Sequence, residues 1–392
     1  MTRKLNILLK GLLCMSAAWW FYSCSDNSGT TEQAVRELQV VLGSQRYEDV
    51  MPSTRTTLPD GYEEYVHATA LIPITQIQGY MTSAAAVAAQ RDDIYVPCLF
   101  SHSATEDATP VHTWTSRVAL EDGTYYFYGY MPKEEAGTSV SITPYNGDYA
   151  KGAVLTFTNL NAVTAQDVNI IAGVKGYGKG EGNTDVPSDM SGRLGHFDYD
   201  PSTEGDKLYL LTEHLFSGIE FQIKVNSKYD ELRTIKLKSF KLKADKKDDN
   251  TNPNPLKTVK ATVTLIAGET TPIVTFSEPV YATDGNAAEM SEGEGKLLTT
   301  EYQSFMAFMC PASGSGITTN LNYVLETTYD VYDKKGNLVR GNQTASNAIK
   351  LENALSAGTK REVKIEVNPT FLYVLSDADL DNPGEEFELT GE

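Results

Sequence analysis

The sequence predicts an all-β protein built from two tandem β-sandwiches, and three observations carry that reading. Short runs of period-two apolar alternation recur along most of the 392 residues, separated by turns rich in Gly, Asn and Asp. Helical periodicity is scarce, the Ala-rich stretch Tyr80 to Gln90 being the one good short-helix candidate. The chain is also long enough for two cores, because a single core stops growing at about 250–300 residues.

At the start, Arg3, Lys4 and Lys10 precede an apolar middle from Leu12 to Phe21, the layout of a secretory signal too short to span a bilayer. The run Phe21-Tyr22-Ser23-Cys24 resembles a bacterial lipobox, in which a small residue precedes a cysteine that takes a diacylglycerol. Each buried methylene contributes about 0.8 kcal/mol, so acyl chains on Cys24 would hold the protein to a membrane surface. No apolar run after Cys24 is long enough for a spanning helix.

The first strand is expected just beyond. Leu38, Val40 and Leu42 fall on one side of an extended chain and Glu37, Gln39 and Val41 on the other. Past Gly43 the pattern dissolves into a polar linker that offers Arg46 and Arg55 to an Arg-directed protease, Arg55 in the more open setting Ser53-Thr54-Arg55-Thr56-Thr57. Two readings stand at this point: an ordinary strand followed by a loop, or a removable strand whose vacated groove accepts a strand from another copy.

Strands are then expected from Ala68 to Gln78, Val96 to His102, Trp114 to Leu120, Thr124 to Met131, Ser139 to Tyr145, Val154 to Leu160 and Val168 to Val174. Gly173 to Gly205 reads as a loop zone that ends at a domain boundary. Its Gly176-to-Gly182 string lacks the Gly-Lys-Ser/Thr and the helix of a phosphate loop. The second half opens at Leu208, with strands at Arg233 to Lys243, Val259 to Ile266, Ile273 to Ser277, Ser304 to Cys310, Tyr323 to Tyr332 and Glu362 to Val367, and a hairpin turn at Asp333–Asn337. Asp245, Asp248 and Asp249 lie in a stretch read as a solvated loop, without the spacing of a calcium loop. The tail carries two apolar alternations, Phe371, Tyr373 and Leu375, then Phe387 and Leu389, which suit either a donated strand or a strand paired within its own sandwich.

Composition narrows the function classes. The net charge of −19 becomes more negative once the three basic residues of the signal leave, a surface that repels nucleic acid phosphates. With Cys14 in the signal and Cys24 lipidated, Cys98 and Cys310 remain, far apart and inside apolar runs, and read as buried thiols. The five histidines, His67, His102, His112, His196 and His214, show no metal or nucleophile-turn spacing, so neither an enzyme nor a cofactor is expected. A glycan-binding surface would draw on Trp114, Tyr125, Tyr126, Tyr128 and Tyr130, but alternation sends half of these tyrosines into the core.

The lipobox, the strand followed by Ser-Thr-Arg-Thr-Thr, the aromatic strand Tyr125–Pro132, the strand Asp167–Ala172 and the segment His214–Phe221 together resemble the fimbrillin family, type V pilins of Bacteroidota. The similarity covers essentially the whole chain by order of features. It implies two transthyretin-like sandwiches, and a division into a signal peptide (1–23), a lipidated propeptide with a removable strand (24–55), an N-terminal sandwich (56–207) and a C-terminal sandwich with a donor tail (208–392). It further implies a lipid-anchored outer-membrane precursor, an Arg-specific protease cutting after Arg55 or Arg46, and other fimbrial subunits as partners, joined head to tail.

Overall fold

The computed structural model describes residues 35–45, 62–64, 76–89, 95–104, 112–133, 139–177, 196–199, 207–244, 256–282, 286–311, 322–350 and 356–367. They form an all-β protein. In the first half run β1 (Val35–Gln45), β2 (Tyr62–Glu64), β3 (Gln76–Ser83), the helix α1 (Ala84–Ala88), β4 (Tyr95–Ala104), β5 (His112–Ala119), β6 (Gly123–Met131), β7 (Ser139–Pro144), β8 (Gly152–Asn161), β9 (Val163–Thr164), β10 (Asn169–Tyr177) and β11 (His196–Tyr199). There follow β12 (Lys207–His214), β13 (Ser217–Val225), the turn of helix α2 (Ser227–Asp230), β14 (Arg233–Ala244), β15 (Leu256–Ile266), β16 (Ile273–Tyr281) and β17 (Asn286–Leu297). The last described strands are β18 (Gln303–Met309), β19 (Asn322–Asp333), β20 (Leu338–Lys350) and β21 (Lys360–Val367).

The first sheet runs in the order β10-β12-β1-β5-β4-β3-β6-β11. The end of β6 also pairs with the start of β10, at Asn169 with Met131 and Ile170 with Tyr130. The path from β10 to β6 therefore returns on itself, and its interior is a core that includes Leu38, Val40, Leu42, Phe100, Trp114, Phe127, Leu208 and Leu210. Closure of this kind removes edges that would otherwise present unpaired backbone groups.

A second sheet, β16-β15-β8-β7, covers the outside of β6 and β10. Phe157 of β8 packs edge-on against Tyr130, ring centroids 5.2 Å apart, and the Tyr128 hydroxyl donates to the Tyr149 carbonyl. Both faces of β6 are consequently dry. Tyr125 and Phe127 enter the first core while Tyr128 and Tyr130 enter the second, so more than the expected half of these tyrosines are buried. The alternation was read correctly, but a covering sheet supplied by a distant part of the chain is invisible to it.

The third core lies between the sheets β21-β13-β18-β9 and β17-β14-β19-β20. Inward residues alternate along β13 as Ile219, Phe221, Ile223 and Val225, and along β14 as Ile235 and Leu237, then Phe240 and Leu242. The step from Leu237 to Phe240 is set by a bulge between Leu237 and Ser239, which restores the inward phase after one extra residue.

The two halves are interleaved. The hairpin β15–β16 leaves the second half to pair β15 with β8, in register from Thr258↔Asn161 to Ile266↔Gly152. In return β9 pairs with β18, and the Cys310 amide donates to the Ala162 carbonyl at 2.7 Å. The boundary expected between 207 and 208 falls at the start of β12, which pairs with β10 and β1 in the first sheet, so the chain crosses to the third core after His214.

Other expectations meet the structure with differences. The helix expected from Tyr80 to Gln90 is confined to Ala84–Ala88, started by Ser83, whose Oγ accepts from the Ala86 amide at 3.1 Å. Tyr80 to Ser83 are strand instead, because Ile77 and Met81 point into the first core and cross-strand burial outweighs the local preference of the alanines. The loop zone begins later than expected, since β10 runs on to Tyr177 and β11 lies inside it. The hairpin turn at Asp333–Asn337 is present, with the Asp333 carboxylate accepting from the Lys335 and Asn337 amides at 2.8 Å. Cys98 and Cys310 are buried and free, and burial pushes both thiols up, Cys310 to about 12. Asp245 to Pro255 lie outside the described residues. Among the described residues no helix is long and apolar enough to cross a membrane.

Candidate functional site

The candidate site is built around β1. Its alternation places Leu38, Val40 and Leu42 inward at 2%, 0% and 3% exposure. Burying each of these aliphatic side chains contributes about 1.5–3 kcal/mol. On one side β1 runs parallel to β12, with Val40 opposite Leu208 and Leu42 opposite Leu210. On the other it runs antiparallel to β5, with Leu38 opposite Ser116 and Val40 opposite Trp114, and its end is met by β2 from Gly43↔Glu64 to Gln45↔Tyr62.

β1 is thus an interior strand of a closed path, and both of its edges are bonded. Its absence would leave β12 facing β5 and β2 across a gap one strand wide, floored by Trp114, Leu208 and Leu210. Each buried backbone group left unmet in such a gap costs about 1–3 kcal/mol. An incoming strand with apolar residues at every second position would satisfy both the backbone and the floor.

Of the residues expected from the sequence to act here, Leu38, Val40 and Leu42 are brought together. Cys24, Arg46, Arg55, Phe371, Tyr373, Leu375, Phe387 and Leu389 lie outside the described residues, although Arg46 directly follows β1 in the chain. His102 packs on the Trp114 ring at 4.9 Å, and backbone register sets it opposite Trp114 rather than opposite His112. Among the described residues no group of three or more His, Cys, Asp or Glu side chains is arranged to hold a metal ion. Trp114, Tyr125, Tyr128 and Tyr130 are buried, so their rings offer no stacking face to a glycan.

One buried pair was not singled out in the sequence. His214 Nδ1 meets Asp167 Oδ2 where β12 leaves the first sheet, with side-chain exposures of 5% and 0%. Next to it the Leu215 amide donates to the Val168 carbonyl at 2.8 Å. Among the described residues, Asp167 Oδ1 and Asn169 Oδ1 have no hydrogen-bond partner. The segments Asp167–Ala172 and His214–Phe221 both carry the family resemblance, but nothing in their spacing announces that they touch.

The fold and this site define an all-β protein whose first described strand is an interior stave. No family model matches the chain, and no curated protein matches it. Among solved structures it is similar to a protein described as a cell adhesion protein from Bacteroides fragilis, at 10% identity and a TM-score of 0.38, covering 86% of this chain and 94% of that one. It is also similar to a fimbrial protein from Bacteroides vulgatus, at 13% identity and a TM-score of 0.27, covering 84% and 96%. A third is an adhesin from Bacteroides ovatus, at 10% identity and a TM-score of 0.26, covering 88% and 98%.

Proposed function

We propose that this chain is a non-enzymatic structural subunit of a cell-surface fimbrium, of the shaft or the tip, that supports adhesion and biofilm formation. The precursor is held at the outer membrane by lipid on Cys24. An Arg-specific protease cuts after Arg55, or after Arg46, and releases β1 together with the lipid. The tail of a neighbouring subunit, through Phe371, Tyr373 and Leu375 or through Phe387 and Leu389, fills the gap. Donor and acceptor lie on different parts of one subunit, so the contact is head to tail and propagates as a filament.

The observation that carries this reading is the position of β1. The strand just upstream of the two arginines has three side chains in the first core and partners on both edges. Removing an edge strand would expose a single new edge; removing an interior one leaves two facing edges and an apolar floor.

The test is to isolate surface fibres and read the N-terminus of this protein in them by mass spectrometry. A chain beginning at Thr56 or Tyr47 in the fibre supports the proposal. A chain that still begins at lipidated Cys24 marks an anchor subunit, and a digested chain that stays monomeric and binds a glycan marks a surface binding module; either overturns it.

A further inference from the structure

Two irregularities in the sheet β17-β14-β19-β20 flank a single residue, Asp330 of β19. On β14 the register with β19 skips Lys238, between Leu237 opposite Tyr329 and Ser239 opposite Thr328. On β20 it breaks between Arg340, opposite Val331, and Gln343, opposite Tyr329. Asn342, inside that break, takes a φ of 52°, a left-handed conformation that asparagine tolerates better than most residues. A bulge re-aims the side chain of its extra residue, and here one lies on each side of β19.

The result is that three side chains meet at one point. Lys238 reaches across β19, and its Nζ donates to Asn342 Oδ1 at 2.8 Å. Asp330, 8% exposed, stands between the two strands: its Oδ1 accepts from the Asn342 backbone amide at 2.7 Å, and its Oδ2 is 3.7 Å from Lys238 Nζ. Lys236, which the register sets opposite Asp330, turns instead onto the Tyr332 ring, 5.2 Å from the centroid.

A primary amine, a carboxamide and a carboxylate in contact are the components of an amide exchange. At hydrogen-bond distance from Oδ1, the Lys238 nitrogen is about 3–4 Å from Asn342 Cγ, close to the separation of reacting atoms in a positioned pair. We propose that Lys238 and Asn342 join through an intramolecular isopeptide bond, with Asp330 carrying the protons. The Lys238 ammonium gives one proton to Asp330, the neutral Nζ attacks Asn342 Cγ, and an N–C bond forms. The tetrahedral carbon then collapses and its bond to Nδ2 breaks. Both protons that Nζ loses pass through Asp330: one goes to the leaving Nδ2, and the other converts the released ammonia to ammonium. An ammonium and a carboxamide thus become one secondary amide and one free ammonium ion, with nothing oxidised or reduced. Asn342 is exposed, so the ion departs directly to solvent.

β14 and β20 are not ladder partners, and the bond ties them together across β19. Tension applied to the two ends of the chain would pass from Lys238 to Asn342 through the amide and bypass residues 239–341. The assignment does not depend on whether the chain polymerises.

Tryptic mapping of the full chain by mass spectrometry tests it. The expected product is a branched peptide in which residues 237–241, uncut after Lys238, are joined to residues 341–350, lighter than the two together by one ammonia. Lys238→Arg and Asp330→Asn should each release residues 341–350 as a linear peptide of full mass. A linear peptide of full mass from the unsubstituted chain overturns the proposal. So does an ammonia loss confined to a linear 341–350 peptide, because Asn342 would then have closed on its own backbone as a succinimide. A branched peptide that persists in Asp330→Asn overturns the part given to Asp330.

Discussion

Val40 and Trp114 lie directly opposite each other across the pair of β1 and β5, at 0% and 1% exposure, and Leu208 flanks Val40 on the other side. A single row of side chains thus ties the first described strand to both neighbours. Under the proposed strand exchange, the incoming strand has to present a residue of similar size at this point, because a well-packed core tolerates neither a void nor an excess.

That row makes substitutions in β1 sharply dependent on phase. Leu38→Ala should lower unfolding free energy by about 2–5 kcal/mol. Gln39→Ala, one position along on the half-buried opposite face, should change it by less than about 0.5 kcal/mol. Urea unfolding of the uncut chain, followed by tyrosine and tryptophan fluorescence, separates the two.

Gly79 faces Gly129 across the pair of β3 and β6, and a Cβ at Gly79 would come within 2.6 Å of the Phe127 ring and 2.7 Å of Cys98 Sγ. Both obstacles are themselves packed in the first core, so neither can retreat cheaply. Gly79→Ala should therefore destabilise by about 1–3 kcal/mol, despite the usual gain from replacing a strand glycine. Comparing its urea midpoint with that of the parent protein checks this.

The Asp167–His214 pair is expected to be strongly coupled. Asp167→Ala removes the carboxylate that meets the buried His214 ring and should cost about 1–3 kcal/mol, whereas replacing both residues with apolar ones of similar volume should cost less. A double-mutant cycle measured by denaturant unfolding gives the coupling directly.

Glu220 carries a pH dependence of known sign. Burial raises its pKa, but the Lys360 ammonium at 2.8 Å and the Ser304 hydroxyl at 2.5 Å outweigh that and hold the carboxyl below the usual glutamate range. Because the folded value is the lower one, the stabilisation is present above the ordinary glutamate pKa and lost as pH falls through the lowered value. Glu220→Gln should flatten this part of the acid limb when unfolding free energy is measured from neutral pH downward.

Where apolar alternation and burial coincide, the strands were legible in the sequence. The pattern predicts β14, β15 and β18, and it locates Leu38, Val40 and Leu42. β17 and β20 were not found. They are the two outer strands of their sheet, with sequences NAAEMSEGEGKL and LVRGNQTASNAIK, and β20 is held by its backbone ladder to β19 more than by side-chain burial. Period-two patterning reports a buried face, and an edge strand with little buried face sends almost no signal. The partners of β1 were equally hidden, since β12 follows it by more than a hundred and fifty residues and strand alternation carries no information about which strands pair.

The pairing of β8 with β15 constrains how such a protein can change over generations. Each half contributes strands that the other needs to cover its own apolar surface, through Leu155 and Phe157 from one and Ala261 and Val263 from the other. Neither half is therefore a cassette that recombination can transplant alone; a viable exchange has to carry the whole span from β1 to β21.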